Sequence, residues 1–158
     1  MKTSRAQALT AIAAVAVTPF LDATADAAAP AVRLADAEWR KRLSPAAYDV
    51  LRHQGTETAG SSPLDHETRP GTYACAGCRT AVFSSTTKFD SGTGWPSFYA
   101  PIHGAVATTT DRSLFMSRTE VHCATCAGHL GHVFDDGPKP TGLRYCMNGV
   151  ALAFRPRQ

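Results

Sequence analysis

Four cysteines in two Cys-x-x-Cys turns constrain this chain more than any other feature of its sequence. Cys75-Ala-Gly-Cys78 and Cys123-Ala-Thr-Cys126 each bring two sulfurs round one tight bend. Together they supply four thiolates, a donor set with which zinc completes a tetrahedron. The 44 residues between Cys78 and Cys123 far exceed the spacing of a compact zinc ribbon. One structural zinc ion would therefore tie together two hairpins remote in sequence. Each turn also leads into a similar apolar pair, Val82-Phe83 after the first and Val133-Phe134 after the second. The pattern reads as two facing knuckles. Two disulfides are a rival use of the same sulfurs. A redox-active Cys-x-x-Cys is another, but that motif belongs to a βαβ setting, which is absent here.

The rest of the chain predicts a mainly β domain of the α+β class, with peripheral helices near its N-terminus. A chain of 158 residues with 44% apolar content can bury about two-thirds of its unfolded surface. Asp36 is expected to cap a short helix through Glu38, Trp39 and Arg40. Ser44-Pro45 is a strong helix start, with Ser at the N-cap and Pro in the first turn. That helix runs through Tyr48, Val50 and Leu51 and stops near Gly55. Thr56 to Gly71 reads as loop. From Thr72 onward the helical period disappears. Short apolar runs then read as antiparallel strands: 81–83, 113–116, 132–134, 143–146 and 150–154. No apolar helix face demands a partner, so a monomer is expected. The formal charge of +3 is spread without a Lys/Arg block, so no nucleic-acid footprint is visible.

The N-terminal residues differ in kind. Lys2 and Arg5 give a positive start, Ala8 to Val17 is an apolar run, and Ala23-Thr24-Ala25 offers a small-x-small cleavage pattern. Residues 1–25 therefore read as a secretory signal peptide, and the run is too short to span a bilayer. Residues 26–35 read as an Ala/Pro linker, and 36–158 as the domain. The expected destination is export, to a periplasm. A mitochondrial presequence is the rival, because no acid precedes Asp22; a cytoplasmic protein with a floppy tail is the plain alternative.

The fifth cysteine, Cys146, has no partner. A lone cysteine is most often a small buried hydrophobe, but its context points to reactivity. Arg144 lies two residues away and on a strand faces the same side, where a cation favours the thiolate. Asn148 is also two away and can orient a small ligand. His129 and His132 can supply protons near neutral pH, and Asp135 or Asp136 can hold an imidazole or merely shape the following turn. In Ser91-Gly-Thr-Gly-Trp95-Pro-Ser97, Trp95 sits on a glycine-rich loop and can wall a pocket for an apolar or sulfonium-like group.

Longer motifs then fall in order: GTYACAGC (71–78), KFDSGTGWPSF (88–98), RTEVHC (118–123), HLGHVFDDGP (129–138) and GLRYCMN (142–148). From about Trp39 to Phe154 the chain resembles the B-type methionine sulfoxide reductases. The resemblance implies two small antiparallel sheets, a structural zinc on Cys75, Cys78, Cys123 and Cys126, and reduction of the R epimer of methionine sulfoxide in oxidised proteins. It implies Cys146 as nucleophile and His132 as proton donor. Trp95, His129, Phe134, Arg144 and Asn148 match substrate-binding positions. Cys146 would become a sulfenic acid. Many members carry a resolving cysteine where this chain has Thr93, so an external thiol, thioredoxin-like or other, is expected as co-substrate. A zinc-dependent binding module would leave Cys146, His129 and His132 idle. A metallohydrolase on the two histidines would lack an evident third ligand.

Overall fold

The computed structural model describes residues 30–112 and 117–158. The leader (1–25), the first part of the linker and the strand expected at 113–116 lie outside the described residues.

The first helix, α1, spans Asp36–Arg42. Its N-cap is Ala35, not Asp36 as expected. Asp36 stands inside the first turn, where an acid suits the helix dipole. Its carboxylate is drawn instead to the Tyr48 hydroxyl and to Arg40 Nε, 2.8 Å away. It therefore pins α1 to the second helix rather than capping its own. That helix, α2, is Pro45–His53. Ser44 Oγ accepts from the Ala47 N–H at 3.2 Å, as the Ser-Pro signature predicts. The stop comes at Gln54, in the left-handed region at φ 57°, one residue before Gly55.

Part of the expected linker is docked rather than free. The Val32 N–H donates to the Thr125 carbonyl at 2.9 Å, and Val32 and Leu34 pack on the core. Alternating apolar side chains in an extended segment provide the adhesive face.

Two antiparallel sheets carry the remainder. Three strands form the smaller one in the order β2-β1-β9: β1 Gly71–Cys75, β2 Ala81–Ser84 and β9 Leu152–Pro156. The larger runs β3-β4-β8-β7-β6-β5. Its members are β3 Lys88–Phe89, β4 Ser97–Phe98, β5 Val106–Asp111, β6 Arg118–Cys123, β7 His129–Phe134 and β8 Arg144–Met147. The run 150–154, expected to be all strand, opens as a 3-10 turn at Gly149–Ala151. The cause is Glu57, whose carboxylate accepts the N–H of Gly149 (2.5 Å) and of Val150 (2.9 Å). Those donors are thereby taken from the ladder.

Aromatic rings join the sheets. Phe98 of β4 stacks on Phe83 of β2 at 4.4 Å and meets Tyr73 of β1 edge-on at 4.9 Å. All three are fully buried, and such pairs contribute about 0.5–1.5 kcal/mol each beyond area burial. Val50 and Leu51 of α2 close the same core with Leu130 and Met147.

Candidate active site and metal centre

The two Cys-x-x-Cys turns are one structure used twice. In each, the residue after the second cysteine turns its N–H back to the carbonyl of the first: Arg79 N–H reaches the Cys75 carbonyl and Ala127 N–H reaches the Cys123 carbonyl, both at 2.8 Å. Arg79 and Ala127 both take positive φ, 68° and 55°. Strands β1 and β6 deliver the turns side by side. Cys75 Sγ lies 3.7 Å from Cys126 Sγ, and Cys78 Sγ 3.5 Å from Cys123 Sγ. All four sulfurs fall within 4.8 Å of one another.

These distances are too long for disulfides, whose S–S bond is about 2.05 Å. A tetrahedron built on metal–sulfur bonds of about 2.3 Å has edges near 3.8 Å, so the donor set fits a metal ion. Hydrogen bonds among the sulfurs hold Cys78 and Cys123 low and push Cys75 and Cys126 up, with burial adding to the rise. The bare cluster thus retains protons that a divalent cation would displace.

Cys146 lies near the middle of the larger sheet, paired with Ser97 of β4 on one side and His132 of β7 on the other. A cavity of about 140 Å³ opens against it. Trp95, His132, Phe134, Cys146 and Asn148 all line this cavity, so five of the seven expected reaction and substrate residues come together. Arg118 and Thr56 complete the wall. Gly131 permits the close approach of β7 to β8: a Cβ there would meet the Cys146 carbonyl oxygen at 2.1 Å.

Trp95 is held by its indole N–H, which donates to the Glu57 carbonyl at 3.2 Å. Asn148, on the cavity wall, has both ends of its amide held. Its Oδ1 accepts the Glu57 N–H (2.9 Å), and its Nδ2 donates to the Leu130 carbonyl (3.1 Å). It ties the 56–57 loop to β7.

Two expected residues stand off the cavity. Arg144 lies in an adjacent depression with Thr93 and Asp136. It forms a fork to Asp136 at 2.8 and 2.7 Å and stacks on Phe134, 4.4 Å from the ring centre. Asp136 therefore holds a guanidinium, not an imidazole. The expected activation of Cys146 by Arg144 is outweighed: burial pushes the thiol up, against the Thr93 hydrogen bond, the Arg144 charge and Ser97. His129 is 3% exposed and sits behind His132, their rings edge-on at 5.3 Å.

The carboxylates that do hold the imidazoles are Asp111 of β5 and Glu120 of β6, to which the sequence alone assigned no role. His132 Nε2 pairs with Asp111 Oδ2 at 2.9 Å, and Asp111 also accepts from Arg118 at 2.7 Å. His129 Nδ1 pairs with Glu120 Oε1 at 2.8 Å. Thr109 and Gln54 also donate to Glu120, at 3.0 and 3.2 Å. Their signal is register: Glu120 faces His132 and Thr109 across the sheet.

Burial lowers the His129 pKa despite Glu120. Burial opposes the Glu120 charge as well, but hydrogen bonds from His129 and Thr109 outweigh it and hold the carboxyl low. Both shifts have one sign. The unfolded chain binds more protons at each group, so stability rises with pH and is lost as pH falls. The His129 part goes below its unfolded pKa near 6.5, and the Glu120 part lower still. With metal kept saturating, the melting temperature should fall from pH 7.5 to 5.5, and by less in His129→Gln. A variant that falls as steeply as the parent would refute the assignment.

The SelR domain family model matches residues 43–156. The peptide methionine sulfoxide reductase MsrB of Agrobacterium fabrum is 50% identical over 132 residues, covering 83% of this chain and 98% of its own. The MsrB of Leptospira interrogans is 51% identical over 125 residues, with coverages of 78% and 95%. That of Pseudomonas putida is 57% identical over 121 residues, with 76% and 91%. A solved Mis18 "Yippee-like" domain overlays 57% of this chain and 99% of its own, with TM-score 0.47 and 18% identity, too slight a likeness to bear on function. The family model spans most of the domain and the relatives match nearly end to end, so the chain belongs to the SelR family of B-type peptide methionine sulfoxide reductases.

Proposed function

We propose that this protein reduces the R epimer of methionine sulfoxide in polypeptides to methionine, with Cys146 as nucleophile. The observation that carries the reading is the cavity, in which one thiol, one carboxylate-held imidazole and two aromatic side chains meet. Trp95 and Phe134 offer apolar faces for the methyl group. His132, oriented through Nε2 by Asp111, donates a proton to the sulfoxide oxygen as charge gathers there. His129 and Glu120 support that ring from behind. Arg144 and Asn148 position the walls.

The Cys146 thiolate bonds to the electrophilic sulfur while the sulfoxide oxygen takes up two protons, the first from His132, and the S–O bond breaks to release water. Water then attacks the Cys146 sulfur and the bond between the two sulfurs breaks, so that methionine leaves reduced by two electrons and Cys146 is left as a sulfenic acid. Thr93 cannot form a disulfide, so recycling falls to an external thiol of thioredoxin-like or similar kind. That thiol attacks the sulfenic sulfur and releases water. A second thiol then frees Cys146 from the mixed disulfide.

Cys75, Cys78, Cys123 and Cys126 would hold one zinc ion, which supplies a structural cross-link and takes no part in the redox step. The leader pattern supports export to the periplasm, leaving a monomeric catalytic domain over 36–158.

The test is single turnover by protein recovered from the export compartment, its N-terminus sequenced. Without added thiol, one equivalent of the R epimer should be reduced, none of the S epimer, and one thiol lost from Cys146. Mass mapping should find no intramolecular disulfide to Cys146. Equal consumption of both epimers, or none, would overturn the reading, and an N-terminus at Met1 would remove export.

A further inference from the structure

Three hydroxyls form a continuous chain against Cys146, and the steps above use none of them. Ser91 Oγ lies 2.8 Å from both Thr93 Oγ1 and Ser97 Oγ. Thr93 Oγ1 lies 3.9 Å from Cys146 Sγ. Ser97 is fully buried and faces Cys146 across the β4–β8 pair.

Each hydroxyl owns one proton, and this fixes the polarity of the chain. Ser97 donates to the Trp95 carbonyl at 3.0 Å, so the Ser91–Ser97 bond must take its proton from Ser91. Ser91 Oγ in turn accepts the Thr93 N–H at 3.4 Å. Thr93 then has a choice. Its O–H can donate back to Ser91 while its oxygen accepts from the Cys146 S–H, or it can turn and donate to the sulfur.

We propose that Thr93, held by Ser91 and Ser97, is a positioning residue whose hydroxyl follows the state of Cys146. It accepts from the resting thiol and donates to the thiolate, and then to the sulfenic acid while that waits for external thiol. The last stage rests on the function proposed above; the first does not. The hydroxyl thus occupies the place of a resolving thiol and steadies the oxidised sulfur instead of discharging it.

Other groups also bear on the sulfur. Arg144, paired with Asp136, lies on β8 itself. His132 with Asp111 comes from β7, and Arg118 from β6. The 91–97 loop contributes hydroxyls and the Trp95 ring, and no charged group. All of the charged groups remain in a Thr93 variant, so a changed pH profile reports the hydroxyl.

The experiment compares Thr93→Val, which keeps the shape, with Thr93→Ser, which keeps the hydroxyl. Two rates are read: alkylation of Cys146 by iodoacetamide against pH, mapped on its peptide with metal bound, and single-turnover reduction. Thr93→Val should move the alkylation midpoint upward and slow both rates at neutral pH about three- to tenfold, the worth of one hydrogen bond. Thr93→Ser should stay within about twofold of the parent. An unmoved midpoint in Thr93→Val overturns the proposal, as does a Ser variant impaired as much as the Val. Should the parent fail to reduce either epimer, the function reading falls, and the alkylation profile still judges the hydroxyl.

Discussion

Cys146→Ser should lose single-turnover reduction of methionine sulfoxide by about four orders of magnitude or more, as when other enzymes lose their nucleophile. The replaced atom alone changes. A serine hydroxyl is scarcely ionised at neutral pH and is a poor nucleophile toward sulfur, whereas even a buried thiol supplies some thiolate. The Thr93 contact, 3.9 Å to the sulfur, is out of reach of the smaller oxygen, a loss of one weak bond. Cys146 is also remote in sequence from both knuckles, so metal content and melting temperature should hold. Residual reduction above about 1% in a folded, metal-bound variant would move the nucleophile elsewhere. A binding module would not register the change at all.

Loss of the metal should have the opposite signature. Chelation, or Cys126→Ser, should lower the melting temperature by about 15 °C or more. Structural zinc contributes roughly 10–16 kcal/mol in small finger peptides, and about 1 kcal/mol moves a domain of this size by 2–4 °C. Even a fraction of that energy is a large shift. The loss would spread, because the Cys126 carbonyl accepts from Arg52 of α2 at 3.1 Å. Both knuckles and α2 would loosen together, and activity would fall through unfolding rather than chemistry. A metal-free protein with an unchanged melting temperature would show the clamp to be idle. Measuring zinc and melting on the same samples separates this variant from Cys146→Ser.

Local chemistry was legible in the sequence. The Ser44-Pro45 start, the paired Cys-x-x-Cys turns and the loop bearing Trp95 each depend on residues a few positions apart. What escaped depends on register. Asp111 reaches His132, and Glu120 reaches His129, across strands β5 and β6. Val-Ala-Thr-Thr-Thr-Asp carries little apolar content because β5 is a solvated edge, so it does not announce itself as a strand. Arg144 beside Cys146 was legible, but not the turn that brings Asp136 back to neutralise it. Nor does the text before Gly149 reveal that Glu57 will claim two backbone donors from 92 and 93 residues away. Such distant bonds convert an apparent strand into a turn.

The pairing of β1 with β9 has a consequence for synthesis. Gly71 lies opposite Pro156 and Cys75 opposite Leu152, so the smaller sheet stays one-sided until those late residues emerge. A growing chain that has reached residue 120 exposes Cys75 and Cys78 with only half a coordination set. Ion loading therefore waits for Cys126, and until it emerges the first knuckle holds two thiols without the other half of their set.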